Sequence, residues 1–159
     1  MSVLEVFKSV PIVKAVAAPG SLPAECADFT RDSITLGWDA RLKARSRRRS
    51  DGGLEFATAL SRGTVLREGD QLIIEPLRVV VTVIELAEPV LIIEPRNPAE
   101  WGLFGYQIGN SHQPLMLTGH EIVCADCLGM EMVLRQHAIP FSRGVRPFTP
   151  VGPLADHHH

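Results

Sequence analysis

A single histidine, His112, closes the stretch Gly109-Asn110-Ser111-His112, directly after a predicted helix. The C-terminal end of a helix carries unpaired carbonyl groups and a partial negative charge, so a cation is favoured near it. Imidazole is a good ligand for Ni²⁺, Cu²⁺ and Zn²⁺. His112 is therefore the first candidate metal ligand, and an ordinary loop histidine is the alternative interpretation.

One imidazole cannot hold a divalent transition metal firmly, because structural metal sites use about four protein ligands. Further donors must come from a second copy of the chain or from elsewhere in it, and the first case predicts a homodimer. The terminal residues His157, His158 and His159 are the second source of imidazole. A remnant of a purification tag is the alternative origin of this run.

Two cysteines, Cys124 and Cys127, stand at CxxC spacing where a predicted strand leads into a predicted helix. The start of a helix lowers the pKa of a thiol, which favours metal binding or redox chemistry. A CxxC without a second pair is a weak zinc signal, and burial as structural cysteines is the alternative. His120, in a predicted hairpin turn, and His137, at the end of the second predicted helix, are further candidates for an auxiliary ligand, and ordinary surface histidines are the alternative.

Positive charges occupy every second position of a predicted strand, at Arg41, Lys43, Arg45, Arg47 and Arg49. The two-residue period of a strand places them on one face. A docking face for an acidic protein or for RNA is the functional interpretation, and a charged edge strand that resists aggregation is the structural one. Nucleic acid is not the expected partner, because no aromatic side chains alternate with the charges.

Composition restricts the function classes further. The chain has 159 residues, 45% hydrophobic and 21% charged, with a net charge of −2. These values are typical of a globular protein and argue against a general binder of nucleic acid or membrane surfaces. An odd number of cysteines, three, indicates a reducing compartment, and with no secretory signal or long apolar run the cytoplasm is expected. No catalytic motif is present, so no catalytic residue and no enzyme activity is predicted.

The elements that position these candidates form two groups, and the predicted fold class is α+β. An all-β N-terminal domain over residues 1–88, expected to dock a partner or peptide, is predicted from short apolar runs between glycine-containing turns: Ile34 to Trp38, Leu54 to Leu60 and Gln71 to Glu75. Its last strand is predicted over Val79 to Ile84, and its hinge at Glu88-Pro89. Residues 89–150 predict a ferredoxin-like βαββαβ domain for metal binding and dimerisation. Residues 151–159 are expected to be a flexible, histidine-containing tail.

The first helix of the second domain has clear start signals, since Asn97 can cap it and Pro98 suits its first position. Glu100 stands where a capping-box carboxylate reaches back, and Gly109 is predicted as the left-handed stop. Asp126 is predicted to cap the second helix.

The strands of this domain are predicted in a hairpin, over Leu115 to Leu117 and Ile122 to Cys124, and in a final edge segment. That segment runs from Ile139 to Phe148 and contains Pro147, which suits an edge position.

Several stretches together resemble the UreE family of urease accessory proteins, the nickel metallochaperones of urease maturation. The similar stretches are residues 41–49 with Gly53, residues 60–70, Tyr106 to Pro114, the Pro147-Phe148-Thr149-Pro150 segment and the terminal histidines. Within Tyr106 to Pro114, Gly-Asn-Ser-His-Gln-Pro is similar to the family's Gly-Asn-Arg-His-x-Pro signature, with Ser111 in place of the arginine.

The resemblance implies a carrier that binds Ni²⁺ and donates it during urease metallocentre assembly, without catalysis. It further implies a homodimer formed through the second domain, in which His112 of both subunits binds one nickel ion and the terminal histidines add ligands. The implied partners are the urease apoprotein and its accessory GTPase. Zn²⁺ or Cu²⁺ is expected to compete, since divalent affinities follow the Irving–Williams order.

Overall fold

The computed structural model describes residues 9–151, and the chain divides into two compact units, Met1–Ile84 and Glu85–His159. The hinge predicted at Glu88-Pro89 is wrong, because both residues lie inside a strand, Ala87–Ile93. The carbonyl oxygen of Pro89 accepts a hydrogen bond from the Asp126 amide at 3.1 Å. Pro89 has no N–H with which to return a hydrogen bond to Asp126, and the pairing of the two strands ends beside it, at Val90 and Ala125.

Short strands are the main elements of the first unit. They are β1 (Ile12–Val13), β2 (Val16–Ala17), β3 (Thr30–Leu36), β4 (Arg45–Arg49), β5 (Glu55–Ala59), β6 (Gln71–Ile74) and β7 (Val79–Glu85). They form two sheets, with strand orders β1-β5-β4 and β2-β6-β7-β3. The sequence predicted β5, β6 and β7 to within a residue or two at each end, and it missed β1 and β2.

The all-β description of the first unit is wrong, because the chain forms helix α1 (Trp38–Leu42) and two short 3-10 helices, Ala24–Cys26 and Glu75–Leu77. The sequence predicted a strand through Trp38, whereas β3 ends at Leu36 and Gly37 forms the helix N-cap. A helix of five residues is too short to display a 3.6-residue apolar period, so the pattern gave no signal for it.

Strand β5 shows how the core of this unit is formed. Phe56 and Thr58 are buried, while Glu55, Ala57 and Ala59 alternate with them on the opposite, more exposed face. The buried apolar side chains that share the core with Phe56 are Val13, Ile34, Leu60, Leu66, Leu72, Ile74, Val81 and Val83.

The second unit has the element order β-α-β-β-α-β that the sequence predicted. Its elements are β8 (Ala87–Ile93), α2 (Pro98–Asn110), β9 (Leu115–Leu117), β10 (Ile122–Ala125), α3 (Leu128–Gln136) and β11 (Ser142–Pro147). The strands form one antiparallel sheet in the order β11-β8-β10-β9. Strand β11, which contains Pro147, lies at an edge of the sheet, as predicted.

The helices cover one face of this sheet. Leu91, Cys124 and Leu115 lie side by side in register across β8, β10 and β9, and all three pack in the core with both helices. The helix residues that complete this core include Phe104 and Ile108 of α2 and Met130 and Leu134 of α3.

The chain after β11 lies on the other face of the sheet. Met116 is next to Leu115 in β9, so its side chain points away from the helices, and its Sδ accepts a hydrogen bond from the Thr149 amide at 3.4 Å. Phe148 and Pro150 are buried beside it. The Val151 amide then donates to the Leu115 carbonyl at 2.7 Å. The C-terminal segment is therefore fixed at edge strand β9.

The start of α2 follows the sequence prediction closely. The side chain of Asn97 accepts a hydrogen bond from the Glu100 amide at 2.9 Å, and Pro98 is the first helical residue. The Glu100 carboxylate reaches back one residue further than predicted and accepts from the Arg96 amide at 2.8 Å. The backbone amides of Glu100 and Arg96 thus both have side-chain acceptors at the start of α2, and these bonds fix where the helix begins.

An ion-pair network connects β11 to α3. The guanidinium of Arg143 donates to both carboxylate oxygens of Asp126 at 2.7 Å and to Glu131 at 2.7 Å, and Arg135 also donates to Glu131. The bonds from Arg143 and then Arg135 hold the pKa of the Glu131 carboxyl below its ordinary value. Because ionised Glu131 is favoured in the folded state, its contribution to stability is complete above the unfolded pKa, about 4.3. The contribution is lost as pH falls through the lower folded value.

We predict that Arg143→Ala lowers the free energy of unfolding at pH 7, because the charge-assisted hydrogen bonds from β11 to Asp126 and Glu131 are lost. The free energy of unfolding should also fall less steeply below pH of about 4.3, because the pKa of Glu131 is lowered less in the variant. Urea unfolding at a series of pH values measures both effects. Arg67→Ala, at an exposed arginine of the first unit, is the control, and equal acid slopes in all three proteins would contradict the prediction.

Candidate metal centre

His112 lies immediately beyond the end of α2, in the left-handed conformation. The helix ends at Asn110, Ser111 is its C-cap, and His112 follows with φ of 55°. The sequence predicted Gly109 as the left-handed stop, and this is wrong, since Gly109 is still helical. A non-glycine residue with this φ is uncommon, because its Cβ crowds the adjacent backbone.

The turn at His112 is held by backbone and side-chain hydrogen bonds. The amides of Ser111 and His112 donate to the carbonyls of Ile108 at 3.1 Å and Gly109 at 3.0 Å. The hydroxyl of Ser111 donates to the Gln107 carbonyl at 2.9 Å. Three carbonyls of the last helical turn are therefore satisfied, and the imidazole of His112 is left exposed at the negative end of the helix.

Cys127 lies at the same end of the second unit as His112. Leu115, three residues after His112, is in register with Cys124, three residues before Cys127. The amide nitrogen of the Gln113 side chain lies 3.8 Å from where a Cβ on Gly129 would stand, so the His112 turn also approaches the first turn of α3. His112 and Cys127 are both exposed.

The two cysteines of the CxxC differ in environment. Cys124 is buried in the core, and its desolvation raises the pKa of its thiol to about 12. Cys127 is exposed and forms the N-cap of α3, where the sequence predicted Asp126. Asp126 precedes the N-cap by one residue, and its carboxylate is bound by Arg143. Cys124 is thus a structural cysteine, while the thiol of Cys127 faces solvent.

His120 does not lie with these residues. It is exposed in the turn between β9 and β10, where its amide lies 3.4 Å from the Thr118 hydroxyl oxygen. His112 and Cys127 flank the other ends of the same two strands. The hairpin therefore separates His120 from His112 by the length of β9.

His157, His158 and His159 lie outside the described residues. The last described residue, Val151, is bonded to Leu115, three residues from His112 in sequence. Within residues 9–151, no group of three or more His, Cys, Asp and Glu side chains is arranged to hold a metal ion.

The five predicted docking residues do not share one face. Arg45, Arg47 and Arg49 are exposed along β4, as the alternation predicted. The prediction is wrong for Arg41, which belongs to α1, is fully buried and donates to the Leu66 carbonyl at 3.3 Å. Lys43 follows α1 and pairs with Asp39 at 2.9 Å. The period of two residues holds only where the backbone is extended.

Sequence reasoning gave no role to the groups that support the His112 turn. Ser111 appeared only as a departure from a signature, yet its position four residues after Gln107 is the spacing at which a hydroxyl reaches a helical carbonyl. The contact between Val151 and Leu115 joins residues 36 positions apart, and no local pattern signals it.

The structure is that of a two-unit protein with mixed α and β structure, and its second unit exposes the imidazole of His112 at the end of helix α2. Residues 12–85 match the family profile described as UreE urease accessory protein, N-terminal domain, and residues 88–159 match the profile of the C-terminal domain. The chain belongs to the UreE family of urease accessory proteins. By this family identity it is an accessory protein and not an enzyme.

Individual relatives agree with the family assignment. The urease accessory protein UreE of Azorhizobium caulinodans is 36% identical over 123 residues, which cover 77% of this chain and 59% of the relative. That of Burkholderia vietnamiensis is 33% identical over 119 residues, covering 74% and 58%. That of a Synechococcus strain is 34% identical over 121 residues, covering 76% and 80%. The chain thus spans less than two thirds of the length of the first two relatives.

We predict that His112→Gly is more stable than His112→Ala by about 1 kcal/mol, because glycine adopts a positive φ without steric cost. Urea unfolding followed by tryptophan fluorescence measures the difference. His120→Gly and His120→Ala form the matched pair at an exposed turn where φ is not positive. An alanine variant at 112 as stable as the glycine variant would contradict the left-handed conformation.

We predict that one of the three cysteines reacts with a thiol reagent in the native protein, and that this one is Cys127. Cys26 and Cys124 are buried, and burial raises the pKa of both thiols. Titration before and after denaturation should give one and three thiols, and Cys127→Ser should abolish the native reaction. Native reaction of Cys124 would support the redox interpretation of the CxxC instead.

Proposed function

We propose that this protein is a nickel-binding metallochaperone that donates Ni²⁺ during urease metallocentre assembly, with His112 as its anchoring ligand. The observation that carries the proposal is the exposed imidazole at the end of α2, held by a left-handed turn in a chain of the UreE family. The helix end favours a cation there, and imidazole suits nickel. Cu²⁺ and Zn²⁺ are expected competitors.

A homodimer formed through the second unit would supply a second imidazole. Helix α2 leaves Leu103 and Tyr106 exposed, by 54% and 65%, on neighbouring positions of its outer face. A Cβ on Gly102, Gly105 or Gly109 would meet open space, so another helix could approach this face closely. Packing of two α2 helices about a twofold axis would bury these side chains and bring the two His112 turns together.

The terminal histidines of the same chain are within reach of His112. Six residues separate Val151 from His157, and an extended chain of that length spans at most roughly 20 Å. Leu115, to which Val151 is bonded, is three residues from His112, or about 10 Å of extended chain at most. We therefore propose His157, His158 and His159 as labile ligands. Cys127 is the auxiliary candidate at this end of the unit, whereas Cys124 and His120 are not.

The remaining assignments follow from the same proposal. The second unit would be a ferredoxin-like domain for metal binding and dimerisation, and the first would dock partners. The partners would be the urease apoprotein and its accessory GTPase, in the cytoplasm. No helix within residues 9–151 is long and apolar enough to cross a membrane.

We predict that His112→Ala weakens nickel binding at least about tenfold, since even changes to groups that only support a ligand cost that much. Changing His157, His158 and His159 to alanine should lower the affinity and speed metal release, because labile ligands are lost. Wild-type binding should weaken at acid pH, because a protonated imidazole has no lone pair to offer a metal ion. Equilibrium dialysis of the full chain measures all three effects.

His120→Ala is the matched control, an exposed histidine of the same unit that should bind nickel as the wild type does. Sedimentation with metal assayed across the boundary should show one nickel ion per two chains at the first binding step. Unchanged affinity in both the His112 and the terminal variants would refute the proposed site. Binding of one ion per monomer would refute the shared site.

A further inference from the structure

The outer face of the β1-β5-β4 sheet combines a row of arginines with a small apolar surface. Arg45, Arg47 and Arg49 of β4 pair in register with Ala59, Ala57 and Glu55 of β5, so all six side chains share one face. Ile12 of β1 is in register with Ala57 and is 58% exposed. We call this surface, formed by the three arginines with Ala57, Ala59 and Ile12, the arginine face.

Strand β4, which carries the three arginines of the arginine face, is fixed by hydrogen bonds on its buried side. Arg48 points inward, and its guanidinium donates to the Ala40 carbonyl at 3.2 Å, the Lys43 carbonyl at 2.6 Å and the Thr58 hydroxyl at 3.0 Å. These bonds fix β4 to α1 and to β5. The backbone beneath the exposed arginines is therefore ordered before any partner binds, which lowers the entropic cost of binding.

The positive charge of this face is largely uncompensated. Arg47 pairs with Glu55 at 3.4 Å, but both side chains are more than half exposed, so this pair contributes little. Among residues 9–151, Arg45 and Arg49 have no carboxylate partner. The charge of the chain is also unevenly distributed: residues 1–84 contain 12 Lys and Arg against 10 Asp and Glu, whereas residues 85–159 contain four against eight.

The shape of the face favours a polypeptide over a nucleic acid. Arginines two residues apart on a strand are about 6.8 Å apart, which is also the spacing of alternate carboxylates in an extended chain. No aromatic side chain belongs to the face, so bases would have nothing to stack on. A hollow of about 430 Å³, lined by Ala44, Arg45, Leu60, Ser61 and Arg62, lies at the Arg45 end and could take an apolar side chain.

We propose that the arginine face is a docking site for an acidic polypeptide segment, whose carboxylates pair with Arg45, Arg47 and Arg49 while small apolar side chains contact Ala57, Ala59 and Ile12. The site is distinct from the His112 turn and uses no metal. It goes beyond nickel carriage and specifies the chemistry of a protein that the first unit can bind. Each guanidinium can form charge-assisted hydrogen bonds with a carboxylate.

Binding of fluorescent poly-L-glutamate to the full chain tests the proposal, with a chelator present so that the metal site takes no part. Arg45→Glu should weaken binding at least about tenfold, the effect of losing one strong charge-assisted hydrogen bond. Arg49→Glu should weaken binding by a similar factor. It replaces Arg45→Glu in the test if circular dichroism shows that Arg45→Glu does not fold. Arg45→Lys, which keeps the charge, should lose less than Arg45→Glu.

Arg67→Glu is the matched control, since Arg67 is also an exposed arginine of the first unit and the change of charge is the same. It should change the affinity less than about twofold. Equal losses in the Arg45 and Arg67 variants would mean that only net charge matters, and would overturn the proposal. Single-stranded oligouridylate is the competing probe, and tighter binding of this RNA than of polyglutamate at equal salt would also overturn it.

Discussion

The left-handed turn at His112 is the constraint on which the rest of the candidate site depends. A helix that ends with a glycine in this conformation reverses direction without strain, whereas a histidine there has its Cβ close to the backbone. The turn persists because the surrounding bonds fix it: two amides and the Ser111 hydroxyl satisfy the last carbonyls of α2, and the chain continues at once into β9. The backbone that carries the His112 imidazole therefore has few conformations available to it. A ligand held in this way loses little entropy when it binds a metal ion.

Strand register, and not proximity in sequence, decides which other donors accompany His112. The pairing of Leu115 with Cys124 places Cys127 at the His112 end of the sheet and His120 at the opposite end. The same register turns Cys124 towards the helices, where burial makes its thiol a poor ligand. The segment after β11 crosses the far face of the sheet and returns to Leu115, so the chain leaves the described part of the molecule close to the His112 turn. These contacts would give an open site with exchangeable ligands rather than a closed cage, which suits the proposed carrier of a metal ion.

The two units differ in the chemistry that they expose. The second unit has an excess of acidic residues, a solvent-facing imidazole and an exposed apolar helix face. The first exposes a row of guanidinium groups on a strand that buried bonds from Arg48 hold in place. The proposed cation site and the proposed docking face for an acidic segment therefore lie on different parts of the chain. Such a division would allow partner binding and metal affinity to change independently.

Local patterns in the sequence determined the type of most elements and the position of His112 near a helix end. Short apolar runs between turns predicted β5 to β7, and alternation predicted the exposure of Arg45, Arg47 and Arg49. The Asn97-Pro98 signal predicted the start of α2. These features depend on residues only a few positions apart, so a short stretch of sequence contains the information. Tertiary structure decided the burial of Arg41 in a helix too short to show a period, the left-handed conformation of His112 in place of Gly109, and the contrast between Cys124 and Cys127. It also decided that Val151 lies beside Leu115. Each of these outcomes is set by packing and pairing between residues that are distant in sequence, where the competing local conformations differ by only about 1 kcal/mol.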